Sequence, residues 1–316
     1  MMKRTSLFLA AACMTLAAAA EVTYQTVPLP QQIAIDPSGK QALLIKGQAV
    51  TYPAGNDKMK STAELAGKYL SLTPQEADKK AVPGVQLSLG LKSENPEAYL
   101  ITVDKKGIRI QGASESGVFY GVQTLRKSVM EEKGDTIRLP YATVSDEPRF
   151  GYRGTMLDCA RHFFPVSFVK EFIDILALHG VNRFHWHLTD DQGWRFEVKS
   201  LPELAVKGSV RPYTVVGKNI GVDNAAGAIY DDTPETGYYT QEEMKEIVRY
   251  AEERFITIVP EIDLPGHMIA ALSVYPELGC TGGPYNVWCR WGIAQDVLCA
   301  GNPKTLDFLH KVMDEV

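Results

Sequence analysis

The sequence predicts an α/β protein in which a small α+β domain precedes the first part of a (β/α)8 TIM barrel. Residues 21–147 contain short β-type runs separated by turn signals, together with one helix. From residue 148 onward, strands alternate with helical segments, which is typical of βαβ units and a parallel sheet. About three such units are present, whereas a closed barrel needs roughly 250 residues. We therefore expect residues 148–316 to form a barrel that is truncated after about three βα units.

The first twenty residues have the layout of a secretory signal peptide. Lys3 and Arg4 are followed by an apolar stretch and by a run of alanines that ends at Ala20. We expect export to the periplasm or the extracellular space, with cleavage near Ala20. A membrane-spanning helix is disfavoured because a small-residue cleavage site follows the apolar stretch. Lipoprotein anchoring through Cys13 is a further alternative, which the alanine three residues before it disfavours.

The composition is that of a folded protein without a basic surface. The chain has 316 residues, of which 45% are hydrophobic, and its formal net charge is −5. This length can accommodate two domains with a large core. The acidic balance argues against nucleic acid as a partner. After the leader, no apolar run is long enough to predict a transmembrane segment.

In the first domain, β-type runs cover residues 42–45, 85–89 and 99–103. A turn at residues 104–107 predicts a hairpin with the β-type run that follows it. Val118, Val122 and Leu125 have the spacing of one helix face. We see no catalytic constellation in this domain.

In the second domain, strands are predicted at residues 154–158, 182–188 and 257–261. The first helix opens at Ser167 and stops at residues 179–180. A capping box at residues 240–243 opens the second helix, which is predicted to bury Met244, Ile247, Val248 and Ala251. Asn302 and Pro303 start the third helix, whose predicted apolar face is Leu306, Leu309, Val312 and Val316.

Four cysteines remain after the leader, and three of them lie close together in the chain: Cys280, Cys289 and Cys299. In an exported protein, we expect one disulfide among these three, but the sequence does not select the pair. A zinc site is disfavoured because the cluster lacks metal-ligand spacing and contains no histidine.

Polar residues follow each of the three predicted barrel strands. Active sites of such barrels lie at the carboxyl ends of the strands, so these residues are the candidates for a functional site. They are Arg161 after the first strand, His187, Asp190, Asp191 and Trp194 around the end of the second, and Glu261, Asp263 and His267 after the third.

Each candidate has a functional and a structural interpretation. The guanidinium of Arg161 suits adjacent sugar hydroxyls, although composition alone favours a surface arginine paired to a carboxylate. Loop carboxylates at this end of a strand converge on the pocket, so we expect at least one of Asp190 and Asp191 to be functional. Asp263 and His267 could hydrogen-bond with each other across a Pro-Gly turn, which simple turn chemistry would also explain.

The second strand carries two histidines with alternate spacing. His185 and His187 should share one face of the strand, with Trp186 on the other. A buried histidine whose hydrogen bonds are satisfied is the structural alternative for either one.

Three long motifs occur in the order and spacing of a known family. They read LDCARHFF at residues 157–164, HWHLTDDQGWR at residues 185–195 and PEIDLPGH at residues 260–267. The segment GVFYGVQTL at residues 117–125 is similar to a helix of the same family's small N-terminal domain. Together they resemble the family-20 β-N-acetylhexosaminidases, and the resemblance spans nearly all of the chain after the leader.

The resemblance implies an exo-acting glycosidase for glycans with terminal β-linked N-acetylglucosamine or N-acetylgalactosamine, acting with retention. The acetamido oxygen of the substrate would be the nucleophile, so a single protein acid suffices. Asp190 and His267, supported by Asp263, would tune that acid, and Arg161 would hold the hydroxyls of the terminal sugar. His187, Glu261 and Trp194 complete the expected substrate-binding set. No metal or cofactor is implied.

The chain departs from the family pattern at the acid itself. The family places an adjacent Asp-Glu pair at the end of a fourth strand, after a His-x-Gly-Gly approach, and we find no such segment. The dipeptide Asp314–Glu315 lies in the third predicted helix, where a solvated helix face explains it. We therefore expect these 316 residues alone not to hydrolyse a chromogenic N-acetylglucosaminide.

Two other functions stay open on the sequence. A metal-dependent amidohydrolase would use His185 and His187 as ligands, but it needs further histidines and a lysine on later strands. A non-catalytic glycan-binding protein would use Arg161 and Trp194 to bind sugar without cleaving it. The oligomeric state is not predicted.

Overall fold

The computed structural model describes residues 22–77, 84–130, 132–217 and 228–316. The predicted signal peptide at residues 1–20 and the alternative acylation site at Cys13 lie outside the described residues. Both therefore stay predictions.

The first domain is a mixed β-sheet covered by two helices. Its elements are β1 (Gln32–Ile35), β2 (Gln41–Ile45), β3 (Ala49–Tyr52), α1 (Asp57–Leu70), β4 (Thr73–Glu76), β5 (Val85–Leu89), β6 (Tyr99–Asp104), β7 (Gly107–Gly112), α2 (Glu115–Val129), β8 (Thr136–Pro140) and β9 (Ala142–Asp146). Seven strands form the main sheet in the order β1-β9-β6-β7-β5-β3-β4, and β2 pairs with β8 separately.

The predicted hairpin and helix of this domain are confirmed. β6 and β7 pair antiparallel around the turn, and the alternate residues of both strands are buried. Helix α2 is buried along its sheet-facing side, including Val118, Val122 and Leu125. Gly117 permits this close packing, since a Cβ there would lie 2.2 Å from the carbonyl oxygen of Ala98.

The second domain begins as a parallel β/α structure. Its elements are β10 (Gly154–Asp158), α3 (Val166–Leu178), β11 (Arg183–Asp190), β12 (Gly193–Trp194), α4 (Glu203–Val206), α5 (Gln241–Glu252), β13 (Thr257–Ile262), α6 (Ile269–Leu272), a 3-10 turn (Pro276–Leu278) and α7 (Pro303–Met313). β11 lies between β10 and β13, and both neighbours run parallel to it. The predicted fold, a small N-terminal domain followed by part of a (β/α)8 barrel, is confirmed.

The predicted starts of the second and third helices are also confirmed, whereas α3 begins one residue before the predicted Ser167. The hydroxyl of Thr240 accepts from the backbone N–H of Glu243, whose carboxylate accepts from the N–H of Thr240 in return. The side chain of Asn302 accepts from the N–H of Lys304 at 3.0 Å and caps α7. These caps satisfy backbone donors that the first helical turn leaves unpaired.

The predicted buried faces of α5 and α7 are partly wrong. Ile247 and Ala251 of α5 are buried, but Val248 is 38% exposed because it faces a groove of about 1010 Å³ between α5, β13 and residues 315–316. In α7 the buried residues are Thr305, Phe308 and Val312, with Leu309 partly buried. Leu306 and Val316, which were predicted to be buried, are exposed. The face of α7 that carries Thr305 and Phe308 is the one that packs toward Trp194.

The two domains share one continuous hydrophobic core and a polar contact. Arg153, just before β10, pairs with Glu97 of the first domain at 2.7 Å. Glu97 also accepts from the amide of Asn182, just before β11, at 3.0 Å. The amino ends of two barrel strands are thereby fixed to the first domain, which leaves their carboxyl ends for the site.

Within the described residues, no helix has both the length and the apolar character needed to cross a membrane.

Candidate active site

The three parallel strands bring one polar residue each to the same level. Asp158 of β10 lies opposite His187 of β11, and His187 lies opposite Glu261 of β13. Nδ1 of His187 is 2.6 Å from Oε2 of Glu261, and Nε2 of His185 contacts the same oxygen. The two histidines thus share a face of β11, as predicted, while Trp186 is fully buried on the other face.

Asp190, at the end of β11, is the centre of the site. Its buried Oδ2 accepts from Nη2 of Arg161 at 2.6 Å and from Nε2 of His187 at 2.9 Å. Its Oδ1 accepts from Nδ1 of His267 at 3.0 Å and from the backbone N–H of Asp191 at 2.7 Å. Burial favours a raised pKa for Asp190, but these donors outweigh it and hold the pKa below its ordinary value. One ionised carboxylate therefore joins the ends of all three strands.

Arg161 is held in place by the turn that follows β10. Oδ1 of Asp158 accepts from the backbone N–H groups of Ala160 and Arg161, each at 3.0 Å. The guanidinium donates through Nη1 to Asp158, through Nη2 to Asp190 and through Nε to Gln192. The side chain is 39% exposed. Since a guanidinium carries five N–H groups, these three bonds leave two donors for a ligand.

His187 carries a positive charge at neutral pH. Its burial favours a lowered pKa, but hydrogen bonds to Asp190 and Glu261 outweigh this effect and raise the pKa to about 9. Both ring nitrogens then donate, one to each carboxylate. His187 and His185 together hold the pKa of Glu261 below its ordinary value, against the effect of desolvation.

Asp191 has a different role from Asp190. It is fully buried, and its carboxylate accepts from the backbone N–H groups of Ile269 and Ala294, each at 3.2 Å. Its carbonyl accepts from the N–H of Trp288 at 2.9 Å. Burial and the nearby Asp190 charge raise the pKa of Asp191. Asp191 thus anchors the loop between β13 and α7, and Asp190 is the member of the pair that reaches Arg161.

Two buried arginines, which the sequence did not single out, support the site from behind. Arg195 donates to the carbonyls of Cys159, Ala160, Ser209 and Gly237. Gly193 makes room for it, since a Cβ there would lie 2.5 Å from its guanidinium. Burial lowers the pKa of Arg195 to about 10, so it stays charged. No sequence pattern marks such residues, because their partners are backbone carbonyls of distant loops.

Arg211 fixes two site residues through their backbones. It donates to the carbonyl of Gln192 at 3.0 Å and to that of Arg161 at 2.7 Å. Arg161 is therefore held both by its side-chain partners and by its own carbonyl group.

The position of Trp194 does not favour the predicted sugar contact. The side chain is fully buried, packs against Phe308 and donates from its indole N–H to the carbonyl of Phe196 at 2.5 Å. Trp194 lies in the two-residue strand β12 and pairs with Thr189 of β11. This pairing directs its ring into the core. The ring of His187, another predicted substrate contact, is buried, and both of its nitrogens are bonded to carboxylates, so a direct contact with sugar stays a prediction that the structure does not favour.

The expected hydrogen bond between Asp263 and His267 is not formed. His267 donates from Nδ1 to Asp190 instead, and its backbone has a positive φ of 56°. This conformation is unfavourable for a residue with a side chain, and the contact with Asp190 stabilises it. The backbone N–H of Asp263 donates to the hydroxyl of Thr189 at 3.1 Å. One of its carboxylate oxygens lies within 4.8 Å of a carboxylate oxygen of Asp190 and of a ring nitrogen of His187.

Asp314–Glu315 does not belong to the site. Glu315 accepts from the backbone N–H groups of Lys199 and Ser200 at 2.6 and 2.9 Å and from the amide of Gln241 at 2.7 Å. The prediction that no function resides in this dipeptide agrees with these contacts. The expectation of a solvated face is wrong for Glu315, which joins the end of α7 to two other segments.

The geometry does not favour a metal site on the histidine pair. Within the part of the chain that the structure describes, the residues close enough to share an ion are His187, Asp190 and Asp263, or Asp190, Asp191 and His267. His185 is in neither group. His187 would have to lose a proton held by two carboxylates before it could bind a metal.

Two family matches divide the chain. Residues 23–147 match "Glycosyl hydrolase family 20, domain 2", and residues 150–316 match "Glycosyl hydrolase family 20, catalytic domain". The boundary between the matches falls in the segment that joins β9 to β10.

Individual relatives agree with this assignment. A beta-hexosaminidase of Porphyromonas gingivalis strain W83 is 40% identical over 82% of this chain and 32% of its own length. A beta-hexosaminidase of Vibrio furnissii is 43% identical over 69% of this chain and 35% of its own length. The chain thus spans about a third of the length of these curated relatives.

Solved structures share the fold. An N-acetyl-beta-hexosaminidase of Streptomyces plicatus, in complex with Thio-NAglucal, has a TM-score of 0.78 and 30% identity, over 94% of this chain and 57% of that one. A beta-N-acetylhexosaminidase of Bacteroides fragilis has a TM-score of 0.71 and 32% identity, over 92% of this chain and 53% of that one. The catalytic-domain match extends from β10 through α7 and so includes the network around Asp190. The chain therefore belongs to glycosyl hydrolase family 20.

Proposed function

We propose that the protein is an exo-acting β-N-acetylhexosaminidase that removes terminal β-linked N-acetylglucosamine or N-acetylgalactosamine from glycans. The observation that carries this proposal is the Asp190 carboxylate, which is bonded to Arg161, His187 and His267 at once. Relatives named beta-hexosaminidase, and an exo beta-N-acetylglucosaminidase of Vibrio harveyi solved with N-acetylglucosamine, support the substrate class.

Arg161 is proposed to bind the terminal sugar. Three of its N–H groups are fixed by protein acceptors, and the two others can donate to adjacent hydroxyls. Because three protein acceptors already hold the planar guanidinium, Arg161 has little rotational freedom to lose when a sugar binds, which favours affinity.

His267 is proposed to act beside the reacting bond. Its Nδ1 donates to Asp190, and within the described residues no contact engages its Nε2. The ionised Asp190 fixes the orientation of the His267 ring, so the pair can hold a polar contact beside a proton-donating group.

Three carboxylates of the site, those of Asp190, Asp191 and Glu261, are poorly suited to be the acid themselves. Asp190 and Glu261 are held ionised by cationic partners, and Asp191 is fully buried against backbone amides. These three carboxylates therefore orient and tune the site, which fits the expectation that the family's Asp-Glu pair supplies the acid.

The test is hydrolysis of p-nitrophenyl N-acetyl-β-glucosaminide by the product of the complete reading frame. We expect turnover with release of the β-anomer, and no turnover of the matching β-glucoside, which lacks the acetamide. Arg161→Lys should lower kcat/KM by roughly 100-fold, because a lysine cannot reproduce the fork. The exposed Arg249→Lys is the matched control and should leave kcat/KM unchanged.

A second candidate function is glycan binding without cleavage. It would be supported by saturable binding of N-acetylglucosamine in a preparation of the complete product that shows no hydrolysis. If the wild-type protein neither binds N-acetylglucosamine nor hydrolyses the substrate, both candidate functions are contradicted.

We also propose export of the protein, which the leader sequence at residues 1–20 supports. Amino-terminal sequencing of the secreted or periplasmic protein should give a start at Glu21. An intact leader on cytoplasmic protein would overturn this proposal.

A further inference from the structure

The cysteine-rich loop between β13 and α7 folds back on itself. Gly279 and Leu298 form an antiparallel bridge, and the N–H of Cys299 donates to the carbonyl of Leu278 at 2.8 Å. The hydroxyl of Thr281 donates to Oδ1 of Asp296 at 3.2 Å, so the two segments stay adjacent on the far side of the bridge. The two segments therefore meet on both sides of Cys280.

The thiols of Cys280 and Cys299 contact each other across this junction. Both thiols are free in the structure. Cys280 is exposed and Cys299 is half-buried, so an oxidant can reach the pair. The neighbouring Cys299 raises the pKa of the Cys280 thiol, so the Cys280 thiolate becomes abundant only at alkaline pH.

The other two cysteines lie in different surroundings. Cys289 is half-buried, donates from its thiol to the carbonyl of Val287 at 3.4 Å, and accepts through its own carbonyl from the N–H of Val215. Cys159 is buried beneath the indole of Trp186, which donates to its sulfur at 3.2 Å. Within the part of the chain that the structure describes, neither contacts another cysteine.

We propose that Cys280 and Cys299 form a disulfide that closes residues 281–298 into a loop over the active site. The bridge holds the two segments side by side, and the contact between the two thiols selects the pair, which the sequence could not provide. In the reaction, both thiols lose a proton and one sulfur–sulfur bond forms. The two electrons reduce a disulfide oxidant such as glutathione disulfide to two thiols.

The closed loop is the one that organises the site. Within it, Trp288 and Ala294 donate backbone N–H groups to Asp191, and the carbonyl of Arg290 accepts from the amide of Gln192. Asp191 and Gln192 in turn contact Asp190 and Arg161. The carbonyl of Cys299 also accepts from the hydroxyl of Thr305, next to the cap of α7. A cross-link there restrains the loop in the unfolded chain and at the site.

The experiment uses the position of Arg290 inside the proposed loop. The chain is oxidised with glutathione disulfide at about pH 9, where thiolates are abundant, then quenched and digested with trypsin, which cuts after Arg290 within the proposed loop. In non-reducing mass spectrometry, we expect the two fragments on either side of this cut to stay joined, and to separate after reduction. Oxidation should also raise Tm by at least about 5 °C.

Two matched variants distinguish the pairs. Cys289→Ser should keep the fragments joined after oxidation, whereas Cys280→Ser should let them separate. The proposal is overturned if Cys280→Ser stays cross-linked, or if iodoacetamide still alkylates both Cys280 and Cys299 in the oxidised wild-type chain. Alkylation followed by mass spectrometry reads the pair even if a variant is less stable.

Discussion

Nε2 of His187 lies 2.9 Å from Oδ2 of Asp190, and both side chains are buried at the end of the central barrel strand. The same oxygen receives Nη2 of Arg161, whose Nη1 is 3.3 Å from the histidine ring. Two cationic side chains thus approach each other closely because one carboxylate stands between them. Without that charge, their mutual repulsion in a poorly hydrated site would be unfavourable.

Replacing Asp190 by asparagine should therefore destabilise the fold. The substitution removes the buried negative charge and leaves Arg161 and His187 facing each other. Breaking a buried ion pair in this way costs about 3–5 kcal/mol. Urea unfolding measures this loss, and the exposed Asp307→Asn is the control that should change it by less than about 0.5 kcal/mol. Equal stability of the two variants would show that the buried network does not depend on its charge.

The stability of the protein should fall as the pH rises from about 6.5 to 9. The pKa of His187 is raised to about 9 in the folded chain, against 6.5 for an ordinary histidine. Below pH 6.5 both states bind the proton, so the stabilisation is fully present, and it is lost as the pH passes through 9. Proton binding by His187 contributes at most about 3 kcal/mol to the free energy of unfolding. Unfolding free energies at pH 6, 7.5 and 9 measure it, and a flat profile that matches His187→Gln would refute the assignment.

Arg195→Lys should destabilise the site loops even though it preserves the charge. A lysine cannot reach four carbonyls from three loops, so several buried acceptors lose their donor. We expect a loss of about 2–4 kcal/mol in unfolding free energy. Arg249→Lys on the exposed side of α5 serves as the comparison. Hydrogen exchange at residues 160 and 209 should accelerate in the first variant only.

Trp194→Phe should lower stability without changing sugar affinity. The indole fills the core next to Phe308 and donates to a backbone carbonyl, so the change costs about 1–3 kcal/mol. Calorimetric titration with N-acetylglucosamine below the melting range should give the wild-type Kd. If the fully folded variant binds N-acetylglucosamine tenfold more weakly than the wild type, Trp194 belongs to the sugar site.

The sequence predicted the strands of the barrel part well, because each is a short apolar run between clear turn and cap signals. The alternation of His185, Trp186 and His187 was sufficient to place two histidines on the site face. It could not place Trp194, since the two-residue strand β12 depends on pairing with Thr189 and leaves no periodic pattern. The partner of His267 was missed for a similar reason, because Asp190 is 77 residues away in sequence.

The central claim is that Asp190 holds Arg161 ready to bind the terminal sugar. The most direct measurement is the side-chain Nε–H resonance of Arg161, followed by NMR while N-acetylglucosamine is added to the 316-residue chain. We predict a saturable shift of this resonance that is absent with an equal concentration of glycerol and at least tenfold weaker in Asp190→Asn. If the sugar binds while the Arg161 resonance stays in place, or if Asp190→Asn binds as tightly as the wild type, the claim is contradicted.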